Sequence, residues 1–294
     1  MIEMRSEQQM FDLILGKARA DERVRAVYMN GSRANPEAEA DKYRDYDIVY
    51  VVTDVPAFVN DKALPSGFGE VAMVQEPDVN DIYNDGVQPD SSRHAWLMLF
   101  KDGNRIDLTV IALHNAAKEY TSDKLTVPLL DKDGILPPAK PSTDEDYHIK
   151  KPSERQYFAC CNEFWWCLNN VAKGTVRGEL PYAQGMLNIY VREMLDRMAD
   201  WYIGINTGFG VSSGKLGKYY GKYLPAELYG LYKGTYAAGD CRCVWQAVSC
   251  ACELFRVIAS QVAAALGFTY NESDDANMTA YLKAMENEEP LYKA

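Results

Sequence analysis

The sequence predicts an α+β fold in which a mixed β-sheet domain with flanking helices precedes an α-helical domain. Three observations support this prediction. The chain has 294 residues, which is more than one small core needs. Apolar segments of strand type, including one hairpin, fall in the N-terminal half, and helical periodicity dominates after Ser153. We therefore expect two domains, 1–140 and 141–294.

The N-terminal elements follow from periodicity and end signals. Apolar side chains recur at helical spacing in residues 7–20, and Ser6 directly before them is a suitable N-cap, so a helix is predicted there. A short strand is predicted at 24–29, and it is followed directly by Asn30-Gly31-Ser32. After a polar stretch, 45–53 reads as a buried strand with polar groups at its leading end.

Two further strands, 95–100 and 105–112, are predicted as a hairpin, because the Asp102-Gly103 pair between them favours a tight turn. Acidic loops rich in Pro, Gly and Asn are expected near 60–69 and 76–90. The segment 131–151 is rich in Pro, Asp and Lys and is predicted to be the linker between the domains.

The second domain reads as a set of helices. They are predicted at 153–171, 180–203, 225–236, 240–266 and 277–287. Seven cysteines fall in these segments, which indicates reduced, buried thiols in a cytoplasmic protein. A zinc site is not expected, because no Cys-x-x-Cys pair occurs and the three histidines lie far away in sequence.

The charge is unevenly distributed. Residues 1–150 carry 17 Lys and Arg against 27 Asp and Glu, whereas the rest of the chain is nearly balanced within a net charge of −11. An acidic surface lacks the footprint that nucleic acids require and would attract a cation. No uninterrupted run of about 18 apolar residues occurs, so we expect no membrane span. We expect a cytoplasmic monomer that binds neither nucleic acid nor membrane.

The feature that points to chemistry is Gly31-Ser32, followed after twelve residues by Asp45-Tyr46-Asp47. Side chains alternate along a strand, so Asp45 and Asp47 project to one face. Two carboxylates there repel each other unless a cation lies between them, and Mg²⁺ prefers oxygen ligands. The glycine turn allows backbone to approach an anion, and the Ser32 hydroxyl and Arg33 can add contacts to a triphosphate.

A third carboxylate, Asp107, lies in an otherwise apolar strand segment. If that strand is beside the 45–53 strand, the three carboxylates converge and can hold metal ions that align attacking and leaving oxygens. The structural alternative is that Asp45 caps its strand and that Asp107 pairs with Arg105 or another cation.

This ordered set resembles the nucleotidyltransferase superfamily that includes DNA polymerase beta. More closely, the chain resembles the aminoglycoside 6-adenylyltransferases, which modify streptomycin. The similar stretches extend over both domains, at 4–7, 21–27 (DERVRAV), 30–36 (NGSRANP), 45–54 (DYDIVYVVTD), 97–108 (LMLFKDGNRIDL), 144–153, 160–166 (CCNEFWW), 171–174 and 201–222.

The resemblance implies transfer of AMP from ATP to an aminoglycoside hydroxyl, with release of pyrophosphate and resistance to the antibiotic. Domain 1–140 would be catalytic and 141–294 would bind substrate and nucleotide. By the same analogy Asp45, Asp47 and Asp107 are catalytic and hold Mg²⁺, and Asp107 is a metal ligand, the general base, or both. Two alternatives stay open: the same transfer to a different small-molecule or protein hydroxyl, and a non-catalytic nucleotide sensor.

Three groups in the second domain are candidates for binding substrates. Glu163 can pair with a guanidinium that stacks on Trp165 or Trp166, although interdomain packing is the structural alternative. Lys173 can reach ATP phosphates or complement a helix C-terminus. Lys215, Lys218 and Lys222 recur at three and four residues and are predicted to share one helical face, either solvated or directed at phosphates.

Overall fold

The computed structural model describes residues 3–80 and 90–288. The chain forms two compact units, Met1–Asp146 and Tyr147–Ala294. The division falls inside the segment interpreted as a linker, a few residues after the boundary expected at 140. The α+β class is confirmed, with a mixed sheet in the first unit and helices in the second.

The described part of the first unit contains a six-stranded sheet in the order β3-β4-β5-β2-β1-β6. Its strands are β1 (Val24–Asn30), β2 (Tyr46–Val52), β3 (Val71–Gln75), β4 (Arg93–Phe100), β5 (Arg105–Ala112) and β6 (Val127–Asp131). Strands β2 and β5 are parallel and all other neighbours are antiparallel. The parallel pair has Asp47 directly beside Asp107.

The α-helices in the described part of the first unit are α1 (Glu7–Ala20), α2 (Val55–Asn60), α3 (Pro77–Asn80) and α4 (Ala116–Tyr120). The bounds of α1 agree with the prediction, because Ser6 and Gln9 form a capping box at its start. The predicted acidic loop at 76–90 contains α3, and its residues 81–89 lie outside the described part of the chain.

Strands β3 and β6 are absent from the sequence prediction. Strand β3 is short and mostly exposed at the sheet edge, so it lacks the alternating apolar signal of a half-buried strand. Strand β6 contains Pro128, a residue that argues against a strand unless it lies at an edge, and β6 is the other edge of this sheet.

The two faces of the central strands differ. Tyr46, Ile48 and Tyr50 point into the larger core, where the Tyr50 hydroxyl donates to the Ile14 carbonyl at 2.6 Å. Alternation sends Asp45 and Asp47 to the opposite face, whose apolar cluster begins further along the strands. The leading end of this second face is therefore polar.

The second unit is helical around one core. Its helices are α5 (Glu154–Val176), α6 (Leu180–Gly185), α7 (Arg192–Thr207), α8 (Tyr220–Tyr223), α9 (Ala226–Gly234), α10 (Cys241–Leu266) and α11 (Glu272–Glu286). A π-helical segment, Met186–Val191, joins α6 to α7, so the region predicted as one helix at 180–203 has three parts. Phe164 of α5 stacks on Phe255 of α10 with ring centroids 3.7 Å apart.

Helix α10 is long and apolar enough to span a membrane by length and composition, which the sequence analysis did not anticipate. Its buried residues, including Phe255 and Ile258, pack in the core of the second unit, and core helices of water-soluble proteins have the same composition. The seven cysteines are free thiols, and burial raises the pKa of Cys160, Cys161, Cys167 and Cys252.

Candidate active site

The turn after β1 lies against the carboxylate of Asp47. Gly31 begins a 3₁₀ turn, Gly31–Arg33, with φ +74°, a conformation that favours glycine. A Cβ on Gly31 would lie 2.0 Å from Oδ2 of Asp47, so any other residue would displace this carboxylate. The structure thus brings together Gly31, Ser32 and Asp47, which the sequence pattern placed in one site.

Asp45 and Asp107 are bridged by Arg105. The Arg105 Nε and Nη2 atoms each donate to one oxygen of Asp107 at 2.7 Å, and Nη1 lies 3.4 Å from Oδ2 of Asp45. The structural alternative considered for Asp107, pairing with Arg105, is therefore present in the fold. The same contacts keep Asp45 and Asp107 in one cluster with Asp47.

The cluster carries an excess of negative charge. Burial, followed by the charges of Asp107 and Asp45, raises the pKa of Asp47 to about 6, against the opposing effect of Arg105. Burial is also the main cause that raises the pKa of Asp45. Arg105 pairs with Asp45 and Asp107, and the nearby Arg33 is itself paired with Glu7, so the carboxylates are not fully neutralised and the site favours a further cation.

The donor set suits a hard divalent cation, since Asp47 and Asp107 offer carboxylate oxygens side by side on parallel strands and Asp45 directly precedes β2. Within residues 3–80 and 90–288, no three His, Cys, Asp or Glu side chains are grouped as metal ligands in their present positions. Both oxygens of Asp107 are taken by Arg105. The residues therefore fit Mg²⁺ chemically, while Arg105 holds part of the ligand set.

Arg33, which the sequence suggested as a contact to the triphosphate, makes contacts within the protein. Its Nε donates to the carbonyls of Arg44 and Asp45 at 3.2 and 3.1 Å, and its Nη1 donates to Glu7 at 2.6 Å. The guanidinium stacks on the Tyr46 ring at 3.8 Å, and the side chain is 5% exposed. Arg33 thus fixes the backbone that carries Asp45.

Asn30 belongs to the same polar face, although sequence analysis did not select it. It pairs with Asp47 across β1 and β2, as Asp47 pairs with Asp107 across β2 and β5. Its Nδ2 donates to Thr126 at 3.1 Å, and its buried Oδ1 has no hydrogen-bond partner among the described residues. In the sequence, Asn30 is a polar residue at the end of an apolar strand. Because many strands end in this way before an ordinary turn, the pattern does not identify Asn30 as a site residue.

The three substrate candidates of α5 differ in accessibility. Trp165 is 2% exposed and packs edge-on against Phe164, so it belongs to the core. Trp166 is 64% exposed. Glu163 is exposed and accepts a hydrogen bond from the Cys167 thiol at 3.2 Å. Of the two tryptophans, only Trp166 presents its ring to solvent.

Trp166 lines a groove of about 450 Å³ between α5 and α11. The groove is lined by Asn162, Trp165, Trp166, Asn169, Lys173, Asp274, Asn277, Met278 and Tyr281. Lys173 donates to the Asn169 side chain at 2.8 Å inside it. The groove therefore offers aromatic surface, carboxamides, one carboxylate and one ammonium group.

The prediction that Lys215, Lys218 and Lys222 share one helical face is wrong. Lys215 begins a short 3₁₀ turn, in which Leu216 has a left-handed backbone with φ +56°, and Lys222 lies in the separate helix α8. The glycines around the turn break the helical spacing that the sequence suggested. Lys215 and Lys218 are exposed, and their role towards ATP stays a prediction.

A mixed sheet that sets a glycine-serine turn beside acids at the start of two parallel strands is the arrangement expected of a nucleotidyltransferase, and the family match assigns the chain to that class of enzyme. The sequence profile of the family described as streptomycin adenylyltransferase matches residues 4–285, and the chain belongs to this family.

Two relatives identified by sequence agree with this assignment. An aminoglycoside 6-adenylyltransferase of Campylobacter jejuni is 38% identical over 273 residues, covering 92% of this chain and 93% of its own. One of Staphylococcus aureus is 34% identical, with coverages of 91% and 94%. A crystal structure of an aminoglycoside 6-adenyltransferase from Bacillus subtilis is 31% identical, covers 97% of this chain and all of its own, and has a TM-score of 0.47.

Proposed function

We propose that this enzyme transfers the adenylyl group of ATP to a hydroxyl of an aminoglycoside, with Mg²⁺ as the metal and the 6-hydroxyl of streptomycin as the acceptor. The product would be the adenylylated antibiotic, and its formation would give resistance. Membership of the streptomycin adenylyltransferase family supports the reaction class. The single structural observation that carries the proposal is the carboxylate cluster of Asp45, Asp47 and Asp107 beside the Gly31-Ser32 turn.

The proposed reaction is an in-line displacement at phosphorus. The acceptor oxygen forms a bond to the α-phosphorus, the bond from that phosphorus to the β-phosphate oxygen breaks, and pyrophosphate leaves with the bonding electrons. Bound Mg²⁺ would neutralise charge on the phosphate oxygens and acidify the hydroxyl. The hydroxyl proton would pass to a carboxylate, and Asp107 is our candidate, as base, metal ligand or both.

The backbone around Gly31 would receive the triphosphate. Its positive φ turns the chain so that consecutive N–H groups can face an anion, and the Ser32 hydroxyl lies in the same turn. Arg33 would act indirectly, by holding the Arg44 and Asp45 carbonyls so that the first carboxylate keeps its place.

The groove beside Trp166 is our candidate for the acceptor. An exposed indole can stack on a guanidinium, and the Asp274 carboxylate on the same groove can pair with it. The net charge of −11 would favour a polycation at longer range. Trp166 replaces Trp165 in this proposal, because Trp165 is buried.

The test is release of pyrophosphate from ATP and Mg²⁺ with streptomycin present or omitted, followed by mass spectrometry of the antibiotic. We expect release that requires streptomycin and a product that carries one added AMP. D47N, which removes one charge at nearly constant volume, should abolish release while the protein stays folded.

Three outcomes would change the proposal. Release with another hydroxyl compound but not with streptomycin would keep the chemistry and change the acceptor. ATP binding without pyrophosphate release from any acceptor tested would indicate a nucleotide sensor. Unchanged transfer by D47N would contradict the carboxylate mechanism.

A further inference from the structure

Two arginines lie beside the carboxylate cluster, but of the two only Arg105 contacts its carboxylate groups. Arg33 donates to main-chain carbonyls, and its side chain is 5% exposed. Arg105 is 41% exposed, and its hydrogen bonds and ion pairs within the described residues all go to Asp45 and Asp107. Arg33 is therefore fixed by the fold, whereas Arg105 can leave without breaking any backbone contact.

Arg105 also occupies oxygens that a metal would use. Its bidentate contact takes both oxygens of Asp107, and its third nitrogen lies 3.4 Å from Asp45. Guanidinium hydrogen bonds and inner-sphere coordination compete for the same lone pairs. Asp47, which Arg105 does not contact through a hydrogen bond, keeps its carboxylate against Gly31.

We propose that Arg105 is an exchangeable counter-ion of the active site, which holds Asp45 and Asp107 together in the metal-free enzyme and releases them when a divalent cation binds. This inference rests on the proposed metal-dependent function, and it adds a residue that sets the metal affinity of the free enzyme. Without Arg105, the three carboxylates would repel one another in a half-buried site. With it, the site stays assembled but binds a bare cation weakly.

The proposal predicts that removing the guanidinium strengthens binding of a bare metal ion. In the nucleotide-free full-length protein, R105Q should bind Mn²⁺ at least about tenfold more tightly than wild type, because the competing cation is gone. R105K keeps the charge but loses the bidentate geometry, so its affinity should be intermediate. Binding is followed by the electron paramagnetic resonance signal of free Mn²⁺, which does not depend on catalysis.

The chain contains a matched control. Arg25 also bridges two acids, Glu22 and Asp133, within the same unit but without contact to the cluster. R25Q should leave the Mn²⁺ affinity at the wild-type value. The double variant R105Q/D107N should lose the tightening, because it lacks the ligand that Arg105 had occupied. Circular dichroism confirms that each variant is folded, and R105K carries the test if R105Q does not fold.

The outcomes separate this inference from the proposed function. Binding of Mn²⁺ that is tighter than wild type in R105Q but not in R25Q supports the exchange by Arg105. Equal or weaker binding by R105Q, while D47N abolishes binding, overturns the exchange by Arg105 but leaves the metal site standing. No Mn²⁺ binding by any variant, together with pyrophosphate release that needs no divalent cation, contradicts the metal-dependent function itself.

Discussion

Replacing Gly31 by alanine tests whether the turn and the carboxylate cluster form one unit. The new Cβ would lie 2.0 Å from Asp47 Oδ2, so the carboxylate would have to move by roughly 1.4 Å to reach an ordinary contact distance. A misplacement of about 1 Å in a reacting group costs roughly a hundredfold in rate. We therefore expect G31A to lose at least about a hundredfold in kcat.

The energetic cost of the left-handed backbone in G31A can be separated from the steric clash with Asp47. Gly134 also has a positive φ, +65°, but a Cβ there would meet no atom within 4 Å. Alanine in this conformation costs about 1–2 kcal/mol in either position. G134A should therefore lose stability in thermal unfolding and keep its activity, whereas G31A should lose both.

The assay is pyrophosphate release at saturating ATP and acceptor, with the melting temperature measured on the same preparations. Activity of G31A within about threefold of wild type would refute the reasoning, because it would mean that Asp47 can move without consequence. A loss of activity in G134A equal to that of G31A would mean that backbone strain alone, and not the clash with Asp47, lowers the activity.

Three further predictions concern other parts of the molecule. The raised pKa of Asp47, about 6, means that its ionisation costs stability, so the metal-free protein should lose stability as pH rises from about 4 to 6. D47N should flatten this part of the stability profile in chelator. R33K should lower kcat about tenfold or more with little change in KM for ATP, because it breaks the backbone clamp at Asp45. W166A should raise KM for the acceptor with little change in stability, whereas W165A should cost about 3–5 kcal/mol of stability.

Each of these three predictions has its own control. A stability profile of D47N that keeps the wild-type slope would assign the slope to other acids, such as Asp196, whose pKa burial also raises to about 6. Arg23 contacts Asp21 and stacks on Phe58 without touching the cluster, so R23K should affect stability and leave kcat unchanged. Equal effects of W166A and W165A on stability would contradict the exposure of Trp166.

The fold class and most elements were predictable, because they depend on local signals. The Ser6 cap starts α1 at the predicted residue, and the Asp102-Gly103 turn joins the hairpin strands β4 and β5. The edge strands were not predictable. A strand such as β3 is stabilised by pairing with β4, and its sequence lacks the apolar alternation that marks a half-buried strand.

The sequence by itself singled out the residues that we propose for the chemistry, through the spacing of Gly31-Ser32 from Asp45 and Asp47 and through the isolated acid Asp107. It also left open whether Arg105 pairs with Asp107. Only the tertiary structure decided that β2 and β5 are parallel with Asp47 beside Asp107, and that Arg105 also bridges to Asp45.

Tertiary packing likewise decided which tryptophan of α5 is accessible and that Arg33 holds backbone. The physical reason is the same in each case. Residue type and spacing fix what a side chain can do, whereas strand pairing and burial across distant parts of the chain fix which partner it meets.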